Sequence, residues 1–263
     1  MNKKKYLGQH FLKNPFVIRK IIYYINPQPS DLIIEIGAGK GAITFPLTQK
    51  AGKVIAIEKD KKLIPYLKKR ETPNLEIVEN DVLKINFNSL IPKNKKVKVV
   101  GNLPYSISAP LLFKIYSHKD LISECLFLLQ KEVAERICAS PHSKQYAPLS
   151  VFFQLYFSAN IVFYVSGKSF SPPPKVDSAF IILRKRNKPL VQIKDELSFL
   201  NFLKGIFSQR RKTLINNLKN LTYSPGIINT AFKKFNLNPY ARAEELTIKQ
   251  FSDLFKWLSS AKN

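Results

Sequence analysis

Short apolar blocks separated by turn-forming residues run through most of the chain. Those at 32–36, 54–57, 75–78, 97–100, 125–129, 161–165 and 179–183 have the length and composition of buried strands. Between them the apolar residues switch to helical spacing. Asn14-Pro15 supplies a capping side chain and then proline at the first helical position; Ile18, Ile21, Ile22 and Ile25 follow on one face, and Asn26-Pro27 ends the helix. Further helices are predicted after the glycines at 37–41, over 60–70, and at 109–116, 131–139 and 149–157. Strands alternating with helices over 31–187 predict an α/β class, with a Rossmann-like, mostly parallel seven-stranded sheet. The last two strands have no helix between them, so an antiparallel last strand is expected. After Lys185-Arg186-Asn187-Lys188-Pro189 the strand pattern stops. Residues 195–260 are helical by period, with breaks at Ser224-Pro225-Gly226 and Asn238-Pro239. Two domains are therefore predicted: 1–187, with a basic N-terminal segment, and a small all-helical domain at 188–263.

Composition adds a partner. Hydrophobic residues make up 45% of the chain, enough for a packed core, but 43 Lys and Arg against 18 Asp and Glu leave a net charge of +25. That exceeds what solubility needs and points to a polyanion, most often nucleic acid. A membrane surface is the weaker candidate, and a generally basic proteome is the reading without a partner. Residues 188–263 alone hold 13 basic and 5 acidic residues, so both segments are positive. Cys125 and Cys138 are too few for a disulfide scaffold. With His10, His118 and His142 scattered, no metal site is expected. No signal-peptide pattern and no membrane-length apolar run occur, so a cytoplasmic protein is expected.

The candidate chemistry lies at predicted strand ends, where open α/β sheets bind ligands. Gly37, Gly39 and Gly41 join the first strand to its helix and suit close backbone approach to a nucleotide-type cofactor. Gly37, Gly39 and Ala42 also satisfy the pattern of NAD enzymes, so the loop leaves the cofactor open. Glu58 ends the second strand, where an acid can accept from ribose hydroxyls. Asp81 ends the third, where a carboxylate can accept from an adenine amine or simply cap the strand end. Glu35, just before the glycines, is a second-rank candidate. Asn102-Leu103-Pro104-Tyr105 follows the fourth strand. Pro104 stops further pairing, which frees the Asn102 side-chain carbonyl and the Leu103 backbone carbonyl as acceptors, while Tyr105 can stack on a base. Alone, the tetrapeptide reads equally as a strand-ending turn. Phe170, held by three prolines, is a second stacking candidate or an ordinary buried ring. Gln209-Arg210-Arg211-Lys212, read as helical, offers Arg210, Arg211 and Lys212 to RNA phosphates.

Six segments occur in a telling order: Gly8-Gln9-His10-Phe11-Leu12, Glu35-Ile36-Gly37-Ala38-Gly39, Gly101-Asn102-Leu103-Pro104-Tyr105, Leu129-Gln130-Lys131-Glu132-Val133, Phe170-Ser171-Pro172-Pro173-Pro174-Lys175-Val176-Asp177-Ser178 and Gln209-Arg210-Arg211-Lys212-Thr213. Together they resemble the rRNA adenine N6,N6-dimethyltransferases, in the small-subunit form, over nearly the whole chain. The resemblance implies an S-adenosylmethionine-dependent enzyme. It would methylate two adjacent adenosines in a hairpin loop near the 3′ end of small-subunit rRNA, within a 30S-type particle. Separately from the resemblance, a monomer is expected. Gln9, His10 and Leu12 would border the cofactor, with Gly37 and Gly39 in its loop. Glu58 would meet its ribose, Asp81 its adenine, and Asn102 would lie near the transferred methyl. Asn102 and Leu103 would accept from N6, with Tyr105 and Phe170 on the base. Three rivals stay open: a large-subunit rRNA adenine methyltransferase, an NAD-dependent oxidoreductase, and a non-catalytic ribosome assembly factor.

Overall fold

The computed structural model describes residues 9–104 and 107–261. Gly8 and Tyr105 therefore lie outside the described residues. The elements relevant to the site are β1 (Phe11–Leu12), α1 (Pro15–Ile25), β2 (Leu32–Ile36), α2 (Thr44–Thr48), β3 (Lys53–Glu58), α3 (Ile64–Lys68), β4 (Leu75–Glu79), β5 (Val97–Asn102), α4 (Ser108–Ser117), β6 (Ile122–Gln130), α5 (Lys131–Cys138), α6 (Pro148–Gln154), β7 (Phe157–Val165), β8 (Phe170–Ser171) and β9 (Ser178–Lys185). Seven strands form one sheet in the order β4-β3-β2-β5-β6-β9-β7. β4, β3, β2, β5 and β6 run parallel, and β9 is antiparallel to β6. All five residues of β2 are buried, as a strand covered on both faces requires.

The chain order reverses between β2 and β5. Connections from β2 lead outward to β3 and β4, then return to β5 on the other side, so the sheet has its switch point there. The two strands meet closely at this point: a methyl at Gly101 would stand 2.4 Å from the Ile36 carbonyl oxygen. β1 and β8 form a separate two-stranded ribbon, with Leu12 opposite Phe170.

Two expectations need correction. Residues 149–157 do not form one helix: α6 ends at Gln154 and β7 begins at Phe157. β7 is an edge strand, and its half-exposed Ser158-Ala159-Asn160 opening hides it from an apolar-run criterion. The lysine-rich helix is also shorter than 60–70, because Pro65 sits in its first turn. Contact clustering separates two units. One takes in the chain up to Ala134 together with Ser158–Lys185; the other joins Glu135–Phe157 to the chain from Arg186 onward. The second unit contains α7 (Glu196–Ile206), α8 (Leu214–Asn220), α9 (Pro225–Lys234) and α10 (Ile248–Ser260).

Candidate active site

The glycine loop leaves β2 with Gly37, Gly39 and Gly41 at φ of 71°, 60° and 83°. This is the left-handed region, which side chains resist. The loop is tied to β3, since the Gly37 amide donates to the Ile57 carbonyl at 2.9 Å. It also lies against the end of β5: a methyl at Gly37 would be 3.6 Å from the Asn102 carbonyl oxygen and 3.7 Å from the Pro104 ring. The switch point thus sets the glycine loop directly beside the acceptor-bearing strand end.

Glu58 holds this loop together. Its Oε2 accepts from the Gly39 amide at 2.8 Å; its Oε1 accepts from the Lys59 and Asp60 amides at 2.9 and 2.8 Å. A carboxylate has about four acceptor sites. Three are filled by backbone, so Oε2 keeps one for a ligand hydroxyl.

Asn102 is anchored as well. Its Nδ2 donates to the His10 carbonyl at 2.9 Å. A carbonyl can only accept, so the amide nitrogen must face His10, and Oδ1 is left as the acceptor. The His10 ring takes no part in that bond; its Nδ1 donates to the Pro172 carbonyl at 2.8 Å. Leu103 is buried, and its amide continues the ladder to Leu128 at 3.1 Å.

These groups line two adjoining hollows. The larger, about 270 Å³, is walled by Gln9, His10, Leu12, Gly37, Gly39, Glu58, Asn102 and Leu103 among others. The smaller, about 90 Å³, has Asp81 and Ile107 in its wall. Gln9, Gly37, Glu58 and Pro104 border both. The two hollows thus adjoin as one cleft, with Asn102 in the wall of one, Asp81 in the wall of the other and Glu58 in both. Asp81 accepts from Lys59 Nζ at 2.8 Å and from the Leu83 amide at 3.0 Å. The Lys59 bond is the main cause that holds its carboxyl below the usual carboxylate range.

Glu35 also borders the larger hollow. Burial pushes its carboxyl up to about 8, the nearby Glu58 carboxylate adds to the rise, and the Thr44 hydroxyl opposes it. Among the described residues Glu35 Oε2 has no hydrogen-bond partner.

Two candidates lie elsewhere than the sequence suggests. The Phe170 ring is only 1% exposed and packs in the core cluster that includes Leu12, so here it offers no free face to a base. At this point the cleft wall is Ser171. Gln209–Lys212 are not helical; they form the turn between α7 and α8, because the Thr213 side chain caps α8. Within that turn Arg210 Nη2 donates to the Lys144 and Tyr146 carbonyls at 2.6 and 3.1 Å and lies 3.3 Å from Glu244. Arg211 and Lys212 are exposed.

Sequence reasoning missed Phe11 and Lys40. A methyl at Gly39 would meet the Phe11 ring at 3.4 Å, and Lys40 Nζ lies 5.1 Å from that ring's centroid. Their signal was position: Phe11 alternates with buried Leu12, and Lys40 sits among the loop glycines. Among the described residues no cluster of His, Cys, Asp and Glu could hold a metal ion, and no helix is long and apolar enough to cross a membrane.

Comparison with known proteins then adds family evidence. The profile of a family described as "Ribosomal RNA adenine dimethylase" matches residues 1–260. A Xylella fastidiosa protein named "Ribosomal RNA small subunit methyltransferase A" is 42% identical over 263 residues, covering 99% of this chain and 96% of its own. A dimethyladenosine transferase structure from Plasmodium falciparum matches with a TM-score of 0.78 at 31% identity, over 93% of this chain and 96% of that one. The structure of the 23S rRNA methyltransferase ErmE matches at 0.73 and 24% identity, over 95% and 99% of the two chains, and shares the fold.

Proposed function

The chain belongs to the ribosomal RNA adenine dimethylase family, and from that premise we propose that it transfers methyl groups from S-adenosylmethionine to N6 of two adjacent adenosines. The target is a hairpin loop near the 3′ end of small-subunit rRNA, within a ribosomal particle under assembly. The observation that carries the reading is the contact between the glycine loop and the Asn102–Pro104 strand end. It sets a cofactor cradle against two carbonyl acceptors.

The residues present fit the cofactor. Gly37 and Gly39 allow close backbone approach, Glu58 Oε2 has an acceptor site left for a ribose hydroxyl, and Asp81 can accept from an adenine amine. Gln9, His10 and Leu12 complete the wall of the larger hollow. When bound, S-adenosylmethionine supplies a methyl group already activated on sulfonium. The chain's own task is then alignment, which can supply a large share of the barrier reduction. Adenine N6 is a poor nucleophile because its lone pair is delocalised into the ring. Asn102 Oδ1 and the Leu103 carbonyl accept its two hydrogens and favour a pyramidal nitrogen with a localised pair. No strong base is needed before attack, since the proton becomes acidic once nitrogen carries positive charge. The target base leaves its stack to reach these acceptors.

Stacking is proposed for Tyr105. For Phe170 the same role requires its ring to leave the core, at a cost of about 1.5–3 kcal/mol. Arg211 and Lys212 are proposed as phosphate contacts, with Arg210 as their brace. Mapping N6-dimethyladenosine on small-subunit rRNA, in cells with and without the protein, tests the activity. Methyl groups that persist without it, or that appear on large-subunit rRNA instead, refute the reading. A methyl-transfer-dead variant that still restores subunit maturation identifies assembly as the main task.

A further inference from the structure

α1 carries a face that the cleft does not use. Phe16, Arg19, Lys20 and Tyr23 are spaced i, i+3, i+4, i+7, so they share one side of the helix. Phe16 is 73% and Tyr23 74% exposed, while Ile21, Ile22 and Ile25 are buried on the other side. Two large exposed rings thus flank the charged middle of this helix face. Between them stand two cations. The Arg19 guanidinium lies 4.6 Å from the Phe16 ring centroid, and Lys20 Nζ lies 4.2 Å from that of Phe163 on β7. Among the described residues neither cation has an ion-pair partner, and α1 contains no acid. Aromatic faces thus hold both charges in place without neutralising them. The stripe begins at the cleft: Lys13 is in the cleft wall and α1 starts at Pro15. From Phe16 it runs about 10 Å along the axis to Tyr23.

Resting on the function above, we propose that this face of α1 is the docking surface for the RNA stem next to the target loop. Arg19 and Lys20 meet backbone phosphates, and Phe16 and Tyr23 pack on riboses or unstacked bases. Charge selects this occupant over two others. A second copy in a two-fold interface would gather four cations on a face whose helix carries no acid to neutralise them. A membrane-lying helix needs a continuous apolar face, and here the cations divide the two rings.

The test uses the full-length protein and a fluorescent RNA hairpin with two adjacent adenosines in its loop. Arg19→Ala/Lys20→Ala weakens binding most at low salt, and the deficit narrows roughly tenfold between about 50 and 200 mM, as expected for two lost phosphate contacts. Phe16→Ala/Tyr23→Ala weakens binding at every salt concentration without changing that slope. Lys53→Ala/Lys249→Ala removes the same charge from residues paired with Glu76 and Asp253, and changes affinity less than twofold. S-adenosylmethionine affinity and melting temperature stay at wild-type values throughout. α1 variants that bind the hairpin no worse than the control overturn the proposal. So does a loss confined to phosphatidylserine vesicles or to self-association. A protein that binds the hairpin through α1 yet methylates no adenosine of unmethylated small-subunit particles overturns the functional reading and leaves the docking surface standing.

Discussion

Replacing Asn102 probes the two tasks the structure gives its amide. Nδ2 is bonded to the His10 carbonyl at 2.9 Å, and Oδ1 is left to accept. Asn102→Ala removes both. A hydrogen bond to a group that gains charge contributes about 1.5–3 kcal/mol. N6 becomes positive only as the new bond forms, so most of that loss falls on the transition state. At about 1.4 kcal/mol per tenfold, single-turnover methyl transfer should fall roughly 10–160-fold. S-adenosylmethionine affinity, measured by calorimetry, should change much less, because Glu58 and the glycine loop are untouched. Asn102→Asp separates the tasks, since it keeps an acceptor but sets oxygen against the His10 carbonyl. If Asp retains more activity than Ala, the acceptor dominates; if it falls as low, the anchor does. A labelled-methyl rate for Asn102→Ala within twofold of wild type refutes the acceptor role. An equal loss in cofactor affinity refutes the division between binding and chemistry.

Three other outcomes follow from burial and charge. Phe170→Ala empties a core position and should cost about 3–5 kcal/mol, read as a lower denaturant midpoint; an unchanged midpoint with a slower reaction would mean the ring works outside the core. Arg210→Ala removes two bonds that tie its turn to the Lys144 and Tyr146 carbonyls and should lower the melting temperature, whereas Arg211→Ala/Lys212→Ala should leave it unchanged and weaken binding to unmethylated small-subunit particles. Glu35 has a folded-state value of about 8 against 4.5 when exposed. The folded protein therefore keeps a proton that the unfolded chain has released, and this contribution to stability falls as pH rises through that window. Glu35→Gln should flatten the decline in melting temperature between about pH 5 and 8, and an unaltered slope would show that Glu35 ionises normally.

What could be read in advance followed the reach of each interaction. The parallel strands were legible because burial on both faces leaves continuous apolar runs, as in Leu32–Ile36. The opening of β7 was not, because an edge strand tolerates Ser158, Ala159 and Asn160. The chemistry divides the same way. Glycines between a strand and a helix, with acids at the next strand ends, are local signals. Whether a polar atom is spent or spare depends on partners far along the chain. Asn102 is anchored by a residue 92 positions away, which turns a plain strand-ending turn into an oriented acceptor. Phe170 and Arg210 show the converse. An aromatic before prolines and a cation in a basic run both resemble ligand contacts, but pairing opposite Leu12 buries the one and two loop carbonyls engage the other. Their neighbours Ser171 and Arg211 are exposed. A motif therefore marks where chemistry gathers, and the long-range bonds of each polar group decide which of its members reach the substrate.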